Sequence, residues 1–226
     1  QLNQIIEIDA ANQIARVQAG VINLDLDKAA QEFGMAYLPD PASRDWSSLG
    51  GNAATNAGGM CCVKYGVTAA HVRAMQVVLA SGEIVELGKA TKKSVTTYDL
   101  LHLFIGSEGT LGIITELTLN LVVRPSAPAT LIATFPNISI AAAAAAPLLQ
   151  YRPSMLEIVD QTTLNVSGVT VSNNGVKFLC VLNYYLPSNA ATLVVKNPVT
   201  ITTQPTNQTV CVTGGTATFT AAATGD

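Results

Sequence analysis

Two stretches of this 226-residue chain are built from residues that offer backbone more than side chain. The first, "SLGGNAATNAGG" from Ser48 to Gly59, places four glycines, three alanines and two asparagines in twelve residues without one charge. Glycine lets backbone approach a ligand closely, and asparagine tolerates left-handed conformations that expose N–H groups. The run therefore reads as a loop that presents amides, the chemistry that suits a phosphate. A tight structural turn is the plainer reading. A linker would carry Ser, Gly and charge on both flanks, whereas "YLPDPAS" precedes this run and "HVRAMQVVLA" follows it, both of folded character. The second stretch, "GSEGTLGIIT" from Gly106 to Thr115, has Gly-x-x-Gly-x-x-Gly spacing. It is neither a Walker A loop nor Gly-x-Gly-x-x-Gly after a strand. Its order is helix, loop, strand, the reverse of the Rossmann arrangement, so loop amides and not a helix N-terminus would hold a phosphate.

The side chains that could do acid–base or metal chemistry are few. His71 and His102 are the two histidines, and neither has a partner at metal-ligand spacing. Each reads as a structural or surface histidine. Cys61 and Cys62 are adjacent, with Cys180 and Cys211 far downstream, which fits neither zinc spacing nor a small disulfide scaffold. Glu108 and Glu116 could serve as acid or base. The first reads as a loop-shaping carboxylate and the second as a strand-surface residue, so neither is assigned a catalytic role.

The elements that must carry these residues alternate through the first part of the chain. "QIARVQAG" reads as a strand, and "NLDLDKAAQEFG" as a helix with Asn23 as N-cap and Gly34 as terminator. "VRAMQVVLASGEIVELG" reads as a hairpin with the two-residue turn Ser81-Gly82. "TYDLLHLFIG" is a short helix capped by Thr97 and closed at Gly106, and "GIITELTLNLVV" returns as a strand. "ATLIATF", the Ala-rich "ISIAAAAAAPLL" and "SMLEIVD" then read strand, helix, strand.

Composition sets the outer limits. At 49% hydrophobic residues the chain is globular and can bury a core, as one large or two modest domains. Its net charge of −3 and the lack of any Lys/Arg cluster argue against nucleic acid as partner and favour a small molecule. The Ala-rich run is shorter than the roughly 20 residues of a bilayer span, so no transmembrane segment is expected. Charge thins sharply after Asp160, where only Lys177, Lys196 and Asp226 remain. A boundary near there is the natural reading.

Taken together, "LPDPAS" (Leu38 to Ser43), "LGGNAATNAGG" (Leu49 to Gly59), "KYG" (Lys64 to Gly66), "GSEGTLGIITELTL" (Gly106 to Leu119) and "MLEIVD" (Met155 to Asp160) carry a resemblance. Over about residues 1–165 the sequence resembles the FAD-linked oxidase family that includes D-lactate dehydrogenases and the glycolate oxidase flavin subunit. That resemblance implies an α+β, vanillyl-alcohol-oxidase type (PCMH-type) FAD-binding domain over 1–125, with an antiparallel sheet and both glycine stretches lining one cleft. The start of a substrate domain would follow over 126–165. It implies FAD as cofactor, a small 2-hydroxy acid as substrate, hydride transfer to the flavin, and an electron acceptor as second partner. The pyrophosphate and ribityl chain would lie along Gly50 to Gly59, and the adenosine side on main chain of Gly109 to Thr115. The cofactor-binding positions so implied are Pro39, Asp40, Pro41, Ser43, Gly50, Gly51, Asn52, Thr55, Asn56, Gly58, Gly59, Lys64, Tyr65, Gly66, Glu108, Gly109, Thr110, Gly112, Ile113 and Ile114. Lys64 would place positive charge near reduced flavin; a solvated loop lysine is the alternative.

The chain also departs from the family. Cys61 stands where the pattern has His, which admits covalent flavin attachment, though a small buried thiol is the reading favoured. An upstream phosphate loop is expected before Gln1, and a later His-rich motif is expected beyond the part of the substrate domain present. The catalytic base is therefore unassigned, no metal is expected, and the chain as it stands is expected to be an incomplete, inactive piece. Residues 166–226 resemble bacterial Ig-like repeats, read as β-rich fragments joined near 161–168. The flavin part points to a cytoplasmic or membrane-peripheral setting and the Ig-like tail to the cell exterior, with an extracellular adhesion protein as the rival function.

Overall fold

The computed structural model describes residues 2–125 apart from 94, 96 and 97, together with residues 129–135, 137–160 and 176–182. A five-stranded antiparallel sheet organises the first part: β1 (Ile5–Asp9), β2 (Ile14–Gln18), β4 (Val72–Val78), β5 (Ile84–Gly88) and β6 (Ile113–Asn120), in the order β1-β2-β6-β4-β5. Two hairpins flank β6, the last of the five in sequence and the middle one in space.

One face of this sheet is dry. Ala15 and Val17 of β2 stand opposite Leu119 and Leu117 of β6, which in turn face Val72 and Met75 of β4, and all six are buried. Burial in β4 skips from 72 to 75 because the pairing slips at Arg73. A second slip at Thr115 bulges β6. The apolar face is covered by α1 (Asn23–Gln31), through Leu26 and Ala30, and by α2 (Leu49–Thr55), through Leu49 and Ala53. The opposite face is polar: Arg16 lies 3.7 Å from Glu116, and Gln76 joins Thr115 at 2.8 Å to Glu86 at 2.7 Å.

A small pair, β3 (Met35–Ala36) with β7 (Val122–Val123), is locked to α1 by Arg124. The Arg124 guanidinium donates to the Asp27 carboxylate at 2.8 Å and to the Met35 carbonyl at 3.1 Å, and the Tyr37 N–H donates to the same carboxylate at 3.1 Å. The short helices α3 (Cys62–Tyr65) and α4 (Leu101–Phe104) and a 3-10 turn at Thr68–His71 complete this part.

Several local expectations shift. Asn23 is the first helical residue of α1 and not its cap; Ile22 caps in extended conformation, and Asn23 Nδ2 reaches the Pro39 carbonyl at 3.0 Å. A buried amide here is worth more as a tether to a neighbouring turn than as a cap. Leu79 N–H bonds the Glu83 carbonyl at 2.9 Å, so the β4–β5 turn has three residues, with Gly82 left-handed at φ 85°. In α4 the Asp99 carboxylate takes the His102 N–H at 3.2 Å, the capping role expected of Thr97, which lies outside the described residues.

The second sheet holds β8 (Ala129–Phe135), β9 (Met155–Val159) and β10 (Val176–Leu182) in the order β8-β10-β9, with α5 (Ile138–Leu149) between β8 and β9 in sequence. Asn137 caps α5 by accepting the Ile140 N–H at 3.0 Å. The strand, helix, strand order read from sequence is present. β10 is antiparallel to both neighbours, so β8 and β9 run parallel with β10 slotted between them, a split βαβ unit. Val176–Leu182, expected as a strand of an Ig-like fragment, is thus the centre of this sheet, and the expected junction near 161–168 falls between two of its strands. The rest of the Ig-like expectation, 166–175 and 183–226, lies outside the described residues.

Candidate flavin cleft

The first glycine stretch is not a loop. Ser48 takes the Gly51 N–H on its hydroxyl at 3.1 Å, and residues 49–55 wind into α2, which ends at Asn56 in the left-handed conformation at φ 49°. The amides at its start are all engaged: Leu49 N–H bonds Val21 O, Gly50 N–H bonds Ala19 O, and Asn52 N–H bonds Ser48 O, each at 2.8 Å. Its glycines serve packing. A Cβ on Gly50 would stand 2.5 Å from the Ala19 Cβ, so only glycine lets α2 press onto the end of β2. Good capping by Ser48 and that contact outweigh the poor helix propensity of two consecutive glycines.

The second glycine stretch is drawn to α2 by the helix's own leftover acceptors. The last carbonyls of any helix lack partners within it; here Ala53 O accepts the Gly106 N–H at 3.0 Å and Ala54 O accepts the Glu108 N–H at 2.9 Å. Glu108 reaches that position with φ 51° and Gly109 follows at φ 78°. The turn is closed by Thr110, whose N–H and hydroxyl both donate to Ser107 O, at 3.0 and 2.6 Å. At the Thr115 bulge β6 parts from β2, and its first residues run on beside the Ala19–Gly20 turn.

These two junctions leave a cleft of about 720 Å³ lined by Gly50, Gly51 and Ala54 of α2, by Gly109, Gly112, Ile113 and Ile114, and by Ala19, Gly20, Ile22 and Ser48, with Leu2 and Asn3 at its rim. Its walls are glycine, alanine and apolar side chains. Among the described residues, the amides of Gly109 and Gly112 donate no loop or turn hydrogen bond. A Cβ on Gly112 would lie 2.5 Å from the Val77 side chain, so this floor must be bare backbone. The walls fit a dinucleotide: apolar surface for rings and glycine amides for an anion. Ala19 and Gly20 carry no signal in the sequence beyond small size after a strand, and Ser48 is marked only as the first residue of the glycine stretch.

The other expected site residues lie outside that lining. Pro39 and Pro41 are buried in the turn before α2, with Pro41 O accepting the Arg44 N–H at 2.8 Å and Ser43 O accepting the Ser47 N–H at 2.8 Å. Asn52 is buried with its Nδ2 unpaired, Thr55 donates its hydroxyl to Gly51 O at 3.0 Å, and Asn56 Oδ1 accepts the Ala69 N–H at 2.9 Å. Gly58 and Gly59 follow the helix and do not line the cleft; Gly59 N–H bonds the Cys62 sulfur at 3.0 Å. The Lys64 ammonium sits 5.2 Å from the centre of the Tyr65 ring, and Gly66 closes α3 at φ 80°.

Three of the titratable groups singled out in the sequence have structural partners outside the cleft. Cys61 donates its thiol to Asp40 Oδ2 at 3.4 Å, and burial, reinforced by the Asp40 charge, pushes that thiol up to about 12. Glu116 is a strand-surface residue paired with Arg16. His102 Nδ1 is 2.7 Å from Asp99 Oδ2 at the surface, and that hydrogen bond holds the Asp99 carboxyl below its usual range.

His71 is buried, its Nε2 bonds the Tyr65 carbonyl at 3.0 Å, its ring meets Tyr37 edge-on at 5.9 Å, and its Nδ1 has no partner. Burial pushes its pKa down, against the pull of the Tyr65 and Asn120 backbone. A lowered folded-state value means the unfolded chain binds the proton more readily. Stability contributed by neutral His71 is therefore full above about pH 6.5 and declines as pH falls below it, by at most about 1.4 kcal/mol per pH unit. Urea midpoints measured from pH 8 to pH 5 should fall for the wild type and fall less for His71→Gln. Equal slopes in the two would refute the assignment.

With the geometry in place, the class follows. Residues 1–88 match the family model of an FAD binding domain. The chain is 46% identical over 167 residues to the glycolate oxidase subunit GlcD of Bacillus subtilis, covering 73% of this chain and 36% of that protein. It is 49% identical over 138 residues to a D-lactate dehydrogenase of Anaerostipes hadrus, covering 61% of this chain and 29% of that one. A D-2-hydroxyglutarate dehydrogenase of Xanthomonas citri is 41% identical over 140 residues, 62% of this chain and 30% of that one. Among solved structures, alkyldihydroxyacetonephosphate synthase aligns over 80% of this chain and 36% of its own length, at TM-score 0.65 and 26% identity. Residues 1–88 thus match an FAD binding domain, the chain is similar to FAD-linked oxidases and dehydrogenases of hydroxy acids, and FAD is the cofactor. The chain spans about a third of the length of the curated relatives it matches.

Proposed function

We propose that this chain is the flavin-binding part of an FAD-dependent oxidoreductase that oxidises a small D-2-hydroxy acid of the lactate or glycolate kind and passes the electrons to a separate acceptor. The observation that carries the reading is the shared cleft, where two glycine stretches far apart in sequence meet. The relatives named for glycolate, D-lactate and D-2-hydroxyglutarate supply the substrate class. When bound, FAD supplies the two-electron acceptor that a hydroxy acid needs to become a keto acid. The chain's own part is to bind and orient. Gly109 and Gly112 offer N–H groups to the pyrophosphate, Ile113 and Ile114 flank the adenosine side, and Gly50 and Gly51 keep the opposite wall low. Thr55, Asn56, Gly58, Gly66, Glu108 and Thr110 hold the turns that shape these walls, and Lys64 with Tyr65 stands on α3 beyond them.

The test is saturable FAD binding by the full 226-residue chain, read by flavin fluorescence, with Gly51→Val as the critical variant. Gly51 is exposed at the cleft, and the nearest neighbour of an added Cβ is the Ser48 hydroxyl at 3.0 Å. The helix should survive, since valine is no worse a helix former than glycine. A side chain there narrows the cleft, and the loss expected is about tenfold or more in FAD affinity, the equivalent of about 1.4 kcal/mol. Wild-type affinity in Gly51→Val, with unchanged circular dichroism, would refute this placement of the cofactor.

A further inference from the structure

The turn Pro39–Pro41 and the segment Gly58–Cys62 are pressed together backbone to backbone. A Cβ on Gly59 would stand 2.3 Å from the Asp40 carbonyl oxygen and 2.6 Å from Asp40 Oδ1. Across this contact one residue grips another twice: Asp40 Oδ1 accepts the Cys61 N–H at 3.1 Å and Oδ2 accepts the Cys61 thiol at 3.4 Å. The gripped segment leaves directly from α2. Behind it, the Ala57 carbonyl accepts both the N–H and the hydroxyl of Thr68, at 3.0 and 2.7 Å. On its far side the Asp40 turn is itself tethered to α1 through Asn23 and the Pro39 carbonyl. The exit of α2 is thus held from both sides, and α2 carries one wall of the flavin cleft while its last carbonyls hold the other.

We propose that Asp40 is a positioning residue of the flavin site: by gripping Cys61 through both its N–H and its thiol, it fixes the exit of α2 and so sets the affinity of the cleft for FAD. This rests on the flavin reading above and goes beyond it, since Asp40 then acts through Cys61 and not by touching the cofactor. A serine at 61 keeps an O–H donor for Oδ2; an alanine deletes it. Asparagine at 40 keeps one acceptor, loses the charge and cannot accept the thiol on its nitrogen.

The experiment uses the full chain with Asp40→Ala, Asp40→Asn, Cys61→Ala and Cys61→Ser. FAD affinity is read by fluorescence titration, folding by circular dichroism, and alkylation of Cys61 by iodoacetamide through peptide mass spectrometry. Hydrogen bonds to a charged group are strong enough that Asp40→Ala and Asp40→Asn should each weaken FAD binding by about tenfold or more. Cys61→Ala should weaken it by a smaller factor and Cys61→Ser should restore it, an ordering that a loss of general stability does not produce. At about pH 8.5, the ordinary thiol pKa, removing the carboxylate in Asp40→Asn should speed alkylation of Cys61 several-fold. Unchanged FAD affinity in Asp40→Asn, or Cys61→Ser as weak as Cys61→Ala, overturns the proposal even if Asp40→Ala fails to fold. If the wild type binds no FAD, the flavin reading falls and takes the affinity role with it. The alkylation rates then still decide the pair, faster reaction in Asp40→Asn upholding Asp40 as the anchor of Cys61 and equal rates refuting it.

Discussion

Leu117→Ala is expected to destabilise the flavin domain by about 2–5 kcal/mol, the cost of removing a large aliphatic side chain from a core that relaxes only in part. Leu117 is 1% exposed and sits on β6, the middle strand, directly opposite Val17 on one side and Met75 on the other. Helices cover it from above, so the space left by three carbons has rigid walls on every side and little can collapse into it. Thr118, one residue on, points to the polar face and is the natural control; Thr118→Ala should cost well under about 1 kcal/mol, as surface changes do. Urea unfolding of the two variants checks this. A lower midpoint with unchanged slope is expected for Leu117→Ala, and equal midpoints for the two would mean that the dry face of the sheet has been misassigned.

Legibility in the sequence followed the physics that each signal reports. Alternation of apolar and polar residues in "ARVQ" and "ELTLN" marks them as strands, because a two-residue period survives any context that leaves one face wet. The glycine runs mark backbone that something approaches closely, without saying what approaches. At Gly50 and Gly59 the partner is another piece of this protein, Ala19 and Asp40; at Gly109 and Gly112 an amide makes no loop or turn bond. Composition alone does not separate those two uses. Nor did it reveal that 49–55 is a helix, since propensity argues against glycine there and only the Ser48 cap and the seat on β2 overcome it. Val176–Leu182 poses a related problem: the apolar, β-branched and aromatic run VKFLCVL says strand, and nothing local says which sheet it joins.

The site shows the same division. Gly109, Gly112, Ile113 and Ile114 meet Gly50 and Gly51 as a motif-level reading anticipates, but Ala19, Gly20 and Ser48 enter only through pairing of β2 with β6 and the cap of α2. Conversely, Asp40, Ser43 and Asn52 stand in motif segments and spend their polar atoms or burial on the frame. Motif membership marks a segment as important to the site; the hydrogen bonds decide whether a given residue faces the ligand or holds the wall.

Gly59→Val tests that division most severely, and it is expected to lower stability and FAD affinity together. The missing Cβ would overlap the Asp40 carbonyl oxygen at 2.3 Å, its carbon at 2.4 Å and Oδ1 at 2.6 Å. The first two are backbone atoms and cannot swing aside as a side-chain end can, so the backbone of one segment must move. Overpacking that forces such a shift costs about 1–3 kcal/mol or more, and here it also pulls Cys61 from Asp40 and Gly59 N–H from the Cys62 sulfur, removing hydrogen bonds worth about 1 kcal/mol each. Gly59 does not line the cleft, so any loss of FAD binding must be relayed through the exit of α2. The contrast with Gly51→Val is the decisive one. Gly51→Val should weaken FAD binding while leaving the urea midpoint near wild type, whereas Gly59→Val should shift both. A Gly59→Val protein of wild-type stability would show that the two segments are not interlocked as described. One destabilised yet binding FAD normally would show that the interlock does not reach the cleft.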